Sequence, residues 1–405
     1  MTVTANDRSY AVPEVPVVVF TVDGGDPRYF DDGLRRGIMP RLRRMLDSGG
    51  SYALGASEMP SLTNPNNLSI VTGVSPAIHG IPGNYCRLPD GSLELLNDPR
   101  FLRAPSIHAA FEQAGVRTLM VTTKDKLRRL LGNGGVPSVS VENAAGARLD
   151  VYGVDDVEQL VGRPAPGVYD PTASHYAMEI GLAMLERAPQ IRLMYVSLTD
   201  RVQHAAAPGD PLADAFFVGF DALLGEYLDR GCRVAITADH GMNSKHDADG
   251  QARVIYLEDV LAAAGITVEE VVLPITDPYT KHHGALGSFA WVYLHPSDRD
   301  RARRALQAVP GVEEVWDRES SAVVFEHPVD RIGDLAVTAA ADTALGRNAH
   351  AHDLTQLHGA LRSHGGRHEQ LVPLILSVPV AGQLASRYAA NVLRSRDIHD
   401  LVLNG

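Results

Sequence analysis

The sequence contains few of the features that mark secreted or membrane proteins. Only two of its 405 residues are cysteines, Cys86 and Cys232, too few for a disulfide framework and typical of a reducing compartment. No apolar run approaches the roughly 20 residues of a membrane-spanning helix. The opening stretch MTVTANDRSYAVPEVP is polar and interrupted by proline, unlike a secretory signal. We therefore expect a cytoplasmic location and no membrane partner.

The chain also lacks an excess of positive charge. Its formal net charge is −12, from 37 basic and 49 acidic residues. This argues against nucleic acid as the main partner, because nucleic-acid-binding surfaces are basic. It does not argue against a small anionic substrate, because metal ions or local cations can reverse the sign of charge inside a pocket.

Continuous apolar segments alternate with segments of helical periodicity along most of the chain. Apolar segments of this kind are typical of strands buried on both faces of a parallel sheet. They occur in residues 15–25, 116–126, 191–200, 232–241 and 369–379. Several of the intervening helical segments end at glycine, the residue favoured after a helix. The sequence therefore predicts an α/β fold with a mostly parallel central sheet flanked by helices.

The pattern changes between residues 246 and 358, where strand and helix units with shorter, alternating strands indicate a small α+β insertion. A chain of 405 residues also exceeds the size at which one core usually stops growing. We therefore expect an α/β catalytic core formed by residues 1–245 and 359–405, with residues 246–358 forming an α+β cap.

Three of the predicted strands are followed by an acidic residue, namely Asp23, Asp200 and Asp239. Sites in open α/β sheets form beyond the carboxyl ends of the strands. These carboxylates therefore share one crevice if the three strands are neighbours. An aspartate after a strand is also a common turn residue or helix N-cap, so each residue alone leaves both interpretations open.

Histidines accompany these acids. His204 follows Asp200 by four residues, His240 directly follows Asp239, and His364 precedes the last predicted strand. Carboxylate oxygens and imidazole nitrogens together are a good ligand set for zinc. Three carboxylates without cations would repel one another. Two divalent ions would leave a net positive pocket, suited to a phosphate or phosphonate dianion.

The segment SEMPSLTNPNNLSIVTG, residues 57–73, is rich in Ser, Thr and Asn and then becomes apolar. It is compatible with a solvated surface loop. It is equally compatible with a nucleophile, Thr63, at the start of a helix, where backbone N–H groups attract an anion. The segment alone does not decide between these hypotheses.

The order of the motifs supplies a resemblance. TVDGG, the Thr/Asn segment leading into TGVSPAIHGIPGN, TDRVQH, TADHGM and RSHGG occur as in the alkaline phosphatase superfamily. The chain resembles the phosphodiesterase-like branch of that superfamily over essentially its whole α/β part. Each motif alone is weak, but the ordered set is specific. The segments PSLTNPNN, GIPGNY and TTKDK carry a narrower resemblance to the phosphonoacetate hydrolase group.

This resemblance implies two zinc ions per chain, with Thr63 as the nucleophile. The implied ligands are Asp23, Thr63, Asp239 and His240 for the first zinc, and Asp200, His204 and His364 for the second. His368 is the other candidate for the last ligand. Gly365 and Gly366 argue against a helix that would direct both histidines to one side, and the Ser-His-Gly context favours His364.

The narrower resemblance implies hydrolysis of the C–P bond of phosphonoacetate to acetate and phosphate through a phosphothreonine intermediate. Asn84 would bind a phosphonate oxygen, although an asparagine in a turn is the ordinary alternative. Lys124 and Lys126 follow a strand, and alternate residues of an extended segment share a face. Both would then bind the substrate carboxylate, whereas solvated surface lysines are the usual case. Either lysine or the second zinc would stabilise the enolate-like leaving group.

Two other functions remain open at this point. A metal-dependent phosphodiesterase or nucleotide pyrophosphatase would be expected to need an apolar or aromatic slot for a base. A non-catalytic phosphonate-binding protein would have lost the nucleophile or a metal ligand, and none is missing. His282 and His283 receive no role. The sequence is compatible with a homodimer but does not define the oligomeric state.

Overall fold

The computed structural model describes residues 1–167, 169–276, 283–355, 357 and 360–405. The predicted α/β fold is confirmed, with a central mixed sheet between layers of helices. The strands are β1 (Thr2–Ala5), β2 (Arg8–Ala11), β3 (Val17–Thr21), β4 (Ser51–Ala56), β5 (Tyr85–Arg87), β6 (Leu93–Leu95), β7 (Thr118–Thr122), β8 (Ser138–Ser140), β9 (Leu193–Ser197), β10 (Arg233–Thr237), β11 (Asn243–Ser244), β12 (Val254–Tyr256), β13 (Val268–Val272), β14 (Phe289–Leu294), β15 (Val312–Asp317), β16 (Leu335–Ala339), β17 (Ala344–Gly346), β18 (Arg362–Ser363) and β19 (Leu371–Leu376).

The α-helices are α1 (Pro27–Arg36), α2 (Pro40–Asp47), α3 (Thr63–Thr72), α4 (Pro76–His79), α5 (Ile107–Gln113), α6 (Asp125–Leu131), α7 (Val157–Val161), α8 (Ala173–Arg187), α9 (Arg201–Ala205), α10 (Pro211–Asp229), α11 (Leu257–Ala263), α12 (Arg299–Gln307), α13 (Arg318–Val324), α14 (Ala385–Ala389) and α15 (Ile398–Asn404). Short 3₁₀ turns lie at Pro99–Phe101, Asp150–Tyr152, His283–Ala285, Pro296–Asp298, Val329–Arg331, Arg367–Glu369, Gly382–Leu384 and Ser395–Asp397.

Among the described residues, seven strands form the central sheet, in the order β4-β19-β10-β3-β9-β7-β8. The strands from β10 to β8 run parallel to one another. β19 is antiparallel to β10, and β4 is antiparallel to β19. The carboxyl ends of β7, β9, β3 and β10 therefore lie along one edge of the sheet, and this edge carries the site described below.

The central strands are apolar because both faces of the sheet are covered. In β3 all five residues are buried. Val18 and Phe20 pack into a core with α1, α2, α8 and α10, whereas Val17 and Val19 pack into a second core with α3, α5 and α15. Phe20 meets the ring of Tyr227 edge-on at 5.0 Å. Alternate residues of β3 thus enter two different cores, which explains why the strand reads as a continuous apolar run in the sequence.

A second, antiparallel sheet has the order β13-β14-β16-β15. The alternate residues of β14 divide between two clusters. Val292 packs with Leu261 of α11 and Leu306 of α12 in one, and Trp291 packs with Met59 of the main body in the other. This sheet lies within the segment expected to form a cap. The domain boundaries at residues 246 and 358 stay a prediction, and residue 358 lies outside the described residues.

Helix α3 is enclosed on all sides. Every residue from Asn64 to Thr72 is buried, and the helix ends at Gly73, whose φ of 71° is the left-handed conformation that glycine adopts readily. A helix surrounded by protein need not be amphipathic, which is why its sequence mixes asparagine with isoleucine and valine. Thr63 is its first residue and is half-buried.

In the described part of the chain, no helix is both long enough and apolar enough to cross a membrane. Cys86 and Cys232 are both buried and free. The cytoplasmic location stays a prediction.

Histidines that are buried away from the strand-end acids should make the folded state less stable at low pH. Burial lowers the pKa of His399 to about 4, and it lowers the pKa of His327 to about 3. Because unfolded histidine has a pKa near 6.5, the unfolded chain binds more protons below that pH. The stability contributed by each neutral histidine is complete above pH 6.5 and is lost as the pH falls toward the folded-state pKa. The loss at pH 5 is about 2 kcal/mol per group.

Urea unfolding at pH 7.5 and pH 5 measures this effect. His399→Phe, which cannot titrate, should lose less stability between the two pH values than the wild type. The exposed His350→Gln is the matched control and should keep the wild-type pH dependence. An unchanged pH dependence in His399→Phe would contradict the assignment.

Candidate active site

The three strand-end acids lie at one edge of the sheet. Asp23 follows β3, Asp200 follows β9 and immediately precedes α9, and Asp239 follows β10. These strands are neighbours in the order β10-β3-β9, which meets the condition set by the sequence argument. The relative exposures of the three residues are 1%, 8% and 0%. Three buried carboxyl groups therefore face one small volume.

The predicted histidines lie against these carboxylates. His240 Nε2 is 3.2 Å from Asp23 Oδ1. His204 Nε2 is 2.9 Å from Asp200 Oδ2, across one turn of α9. His364 Nε2 is 4.0 Å from the same Asp200 oxygen. The structure thus brings together side chains from four separate regions of the sequence.

A backbone carbonyl orients each of the three rings. The Nδ1 atoms of His204, His240 and His364 lie 2.8–2.9 Å from the carbonyl oxygens of Arg362, Gly241 and Ser61, respectively. A carbonyl can only accept, so Nδ1 carries the hydrogen in each ring, and in the neutral ring Nε2 keeps its lone pair. Metal-binding histidines are commonly held in this way.

Among the residues that the structure describes, two groups of donor atoms are close enough to hold a metal ion. The first contains Asp200, His204 and His364, and the second contains Asp23, Asp200 and His240; within each group the donor atoms lie within 4.8 Å of one another. Asp239 belongs to neither group, but its Oδ2 is 3.9 Å from His240 Nε2. Asp200 is common to both groups.

Two buried atoms without hydrogen-bond partners, Asp23 Oδ1 and His240 Nε2, test whether these residues fit a metal ion. Asp23 Oδ1 and His240 Nε2 lie 3.2 Å apart without the alignment of a hydrogen bond, and neither has a hydrogen-bond partner among the described residues. Buried polar atoms are normally satisfied. Two unsatisfied ligand atoms that converge on one point fit a shared cation.

The crowding of three buried carboxyl groups shifts the pKa values in the site. Burial and the nearby Asp23 carboxylate raise the pKa of Asp239 well above its usual value. Burial alone would also raise the pKa of Asp200, but Lys124 and His204 bring it well below the usual range. Lys124 Nζ is 3.3 Å from Asp200 Oδ1 and 3.9 Å from Asp23 Oδ2. The raised pKa of Asp239 reflects the repulsion between these carboxyl groups, so added cations would favour the form in which all three are ionised.

The pKa values of the histidines are shifted by the same crowded carboxyl groups and by burial. Burial alone would lower the pKa of His240, but Asp239 and Asp23 raise it to about 10. Burial, together with His240 and His204, lowers the pKa of His364 well below its usual value. The rings of His240 and His364 stack with centroids 3.5 Å apart and planes inclined by 7°. Two positive rings would repel at this distance, so the neutral form of His364 is consistent with the stack.

Thr63 opens α3 as the sequence hypothesis requires, but fewer N–H groups are free at this terminus than expected. The N–H of Asn64 donates to Asn84 Oδ1 over 2.9 Å, and Pro65 has no N–H. An anion at Thr63 therefore has fewer helix N–H donors than the general picture of a helix N-terminus supplies.

Asn67 connects Thr63 to the acids, and sequence reasoning missed it. Its Nδ2 donates to Thr63 O and to Asp239 Oδ2, both at 3.0 Å. Its Oδ1 accepts from Tyr195 OH at 2.7 Å and from Ser197 Oγ at 2.9 Å. All four hydrogen-bonding positions of the amide are used, so Asn67 fixes the first turn of α3 against Asp239. The available signal was a run of asparagines in the first two turns of a helix that is buried on all sides.

Asn84 and the two lysines differ from expectation in part. Asn84 Nδ2 donates to Ile275 O over 2.7 Å, which leaves one amide hydrogen for a ligand. The premise that Lys124 and Lys126 share the face of an extended segment is wrong, because α6 begins at Asp125. Lys124 reaches the acids, whereas Lys126 is exposed in the first turn of the helix.

The structure places the two late histidines, His364 and His368, in different surroundings. His364 is 2% exposed and lies beside Asp200. The side chain of His368 is 39% exposed, and its Nε2 is 3.0 Å from Glu313 Oε1. The geometry therefore favours His364, as the sequence did. His282 and the side chain of His283 lie outside the described residues.

Comparison with known proteins defines the class of protein. The family model described as type I phosphodiesterase / nucleotide pyrophosphatase matches residues 17–367, and the chain belongs to this family. The resemblance to the phosphodiesterase-like branch of the alkaline phosphatase superfamily is confirmed, and the chain is a hydrolase.

The particular similarity is to phosphonoacetate hydrolase. Two crystal structures of that enzyme from Sinorhizobium meliloti 1021, in complex with phosphonoformate and with phosphonoacetate, are 43% identical to this chain. They cover 100% of this chain and 98% of their own, with TM-scores of 0.92 and 0.93. The narrower resemblance found in the sequence is therefore confirmed.

More distant relatives share the fold. Murine ectonucleotide pyrophosphatase / phosphodiesterase 5 is 16% identical, with a TM-score of 0.65 over 96% of this chain and 94% of that one. An uncharacterized pyrophosphatase/phosphodiesterase of Schizosaccharomyces pombe is 24% identical over 265 residues, 62% of this chain. The match spans about half of that protein's length, 48%.

The choice between the two late histidines can be tested by metal content. We expect His364→Ala to lose about one zinc per chain, because it removes a donor near Asp200. His368→Ala is the matched control and should keep the wild-type content, since its ring lies beside Glu313. Metal analysis after gel filtration measures both. Loss of zinc from His368→Ala alone would show that the wrong histidine was chosen.

Proposed function

We propose that this chain is a dinuclear zinc hydrolase that cleaves the C–P bond of phosphonoacetate to acetate and phosphate. The observation that carries this proposal is the 43% identity, over the full length, to structures of phosphonoacetate hydrolase, one of them in complex with phosphonoacetate. The grouping of three acids and three histidines at the sheet edge supports the metal-binding part.

The donor set fits two ions of a borderline metal such as zinc, because it combines carboxylate oxygens with imidazole nitrogens. The proposed ligands are Asp23, Thr63, Asp239 and His240 for one ion, and Asp200, His204 and His364 for the other. When bound, zinc would supply Lewis-acid stabilisation of negative charge and would lower the pKa of a coordinated hydroxyl group.

Thr63 is proposed as the nucleophile. Its hydroxyl proton leaves to solvent, its oxygen forms a bond to phosphorus while the C–P bond breaks, and the carbon leaves with the electron pair. Asn67 holds the carbonyl of Thr63 to the Asp239 carboxylate and so fixes the start of α3. The free amide hydrogen of Asn84 would bind a phosphonate oxygen beside the N-terminus of α3.

Lys124 is proposed to make the carbon a tolerable leaving group. The carbanion delocalises into the adjacent carboxylate, and an ammonium near that carboxylate stabilises the developing enolate-like charge. Lys124 Nζ lies within 4 Å of both Asp200 and Asp23, so it can reach a substrate held there. Lys126, exposed on α6, is proposed to assist in binding the carboxylate. Protonation of the carbon gives acetate.

The second step regenerates the enzyme. Water attacks the phosphorus of phosphothreonine, the P–O bond to Thr63 breaks, and the threonine oxygen regains a proton as phosphate leaves. The covalent intermediate divides one difficult displacement into two easier ones.

A metal-dependent phosphodiesterase or nucleotide pyrophosphatase remains the second candidate, because the matching family model carries that description. Both activities would use the same proposed ligands and Thr63, so substrate choice distinguishes them. The zinc-loaded protein should release phosphate from phosphonoacetate, with equimolar acetate, faster than it hydrolyses p-nitrophenyl phosphodiesters. Preference for the diesters would reject the proposed substrate and favour the second candidate.

Removal of the nucleophile gives a direct test of covalent catalysis. We expect Thr63→Ala to lower turnover at least about a thousandfold, while the protein stays folded and keeps at least one zinc. Thr63→Ser retains a hydroxyl group and is the matched control, with partial activity expected. The measurement is steady-state phosphate release. A Thr63→Ala variant that keeps a substantial fraction of the rate would be incompatible with a phosphothreonine intermediate.

The lysines are tested by comparing two substrates. Lys124→Met should lower kcat/KM for phosphonoacetate about a hundredfold or more, and it should affect a simple aryl phosphate ester much less. Lys126→Met should change the same ratio in the same direction, though less strongly from its exposed position. Arg129→Met removes an exposed charge from the same helix and should leave both substrates unaffected. Equal losses on both substrates would place the lysines at the phosphoryl group or in the fold.

A further inference from the structure

A buried ion pair joins the two loops that carry His240 and His364. Lys245 Nζ lies 2.8 Å from Glu369 Oε1, and both side chains have 0% exposure. Lys245 comes five residues after His240, and Glu369 comes five residues after His364. The ion pair therefore links the two loops to each other, at points equally far along the chain from the stacked histidine rings.

Each charge in this pair has further partners. Glu369 Oε1 also accepts from Asn243 Nδ2 at 2.6 Å, and Oε2 accepts from the N–H of Gly366 at 3.0 Å. Lys245 Nζ also donates to Ala341 O at 2.8 Å. A buried ion is costly unless it is paired and hydrogen-bonded. Both Glu369 oxygens are used by these donors, so Glu369 is not available as a metal ligand.

The backbone connects the same two loops. The N–H of Gly241 donates to Glu369 O over 2.6 Å, directly after His240. Strands β11 and β18 pair with Asn243 opposite Ser363, directly before His364. The ion pair completes this frame by linking the far ends of both loops to each other and, through Ala341, to the turn between β16 and β17.

We propose that Lys245 and Glu369 are positioning residues that hold His240 and His364 in register and thereby set the affinity of the site for metal. This inference rests on the metal-binding role proposed above for the two histidines. The 3.5 Å stack of the rings leaves little tolerance for displacement of either loop. Loss of supporting contacts around metal ligands typically lowers metal affinity 10–100-fold.

Three variants distinguish a positioning role of the ion pair from a purely structural role. Lys245→Met and Glu369→Gln each leave one buried partner unmatched, so their urea midpoints should fall. The double variant Lys245→Met/Glu369→Met removes both charges and should recover much of that stability. Positioning requires that zinc affinity stay about 10–100-fold below the wild type in the double variant as well.

The experiment measures urea unfolding of the metal-free proteins and zinc affinity by competition with a chromogenic chelator. Arg8→Met is the control, because it breaks a partly buried ion pair with Asp397, 2.8 Å long, in a different part of the chain. It should lose stability and keep wild-type zinc affinity.

Two results would overturn the inference. A stable double variant with zinc affinity within about twofold of the wild type would show that the pair serves the fold alone. A double variant that fails to fold would show that the pair supports the whole protein rather than these two histidines. Wild-type protein that binds no zinc would instead reject the metal-binding role in the proposed function, which is a distinguishable failure.

Discussion

The crowding of three buried carboxylates at adjacent strand ends is the constraint on which the rest of the site depends. Asp23, Asp200 and Asp239 are brought together by the order of the parallel strands, and Lys124 alone does not neutralise them. Like charges in a low-dielectric volume are costly. Histidines held by backbone carbonyls direct their Nε2 atoms toward the acids and complete a candidate binding site for cations. The same positive ions would then attract a dianionic substrate.

Most of the fold could be predicted because its signals are local. Strands such as β3 and β9 are buried on both faces, so their apolar runs are continuous. In helices such as α10 the apolar residues recur with the helical period instead. The error at Lys126 has a local cause too. The strand motif ends at Thr122, and the chain enters α6 at Asp125, so a period of two no longer applied. Whether a strand continues past its apolar run depends on what packs against it.

The candidate site was predictable where ligand types follow strands, and unpredictable where partners are distant in sequence. Asn67 and Asp239 lie 172 positions apart, and Lys245 and Glu369 lie 124 apart. No spacing rule connects such pairs. A compositional signal did exist for Lys245, because lysine occurs only at positions 124, 126, 245 and 281 in a chain with 37 basic residues. Where arginine supplies nearly all of the basic charge, each lysine indicates a specific requirement.

The central claim is that the acidic crevice is completed by two cations. The most direct measurement is a calorimetric titration of zinc into chelator-stripped protein, with urea unfolding at each end point. The account predicts two zinc ions bound per chain and a higher urea midpoint in the loaded protein, because ligands that bind only the folded state stabilise it. Binding of less than one zinc per chain with no change in the midpoint would contradict it.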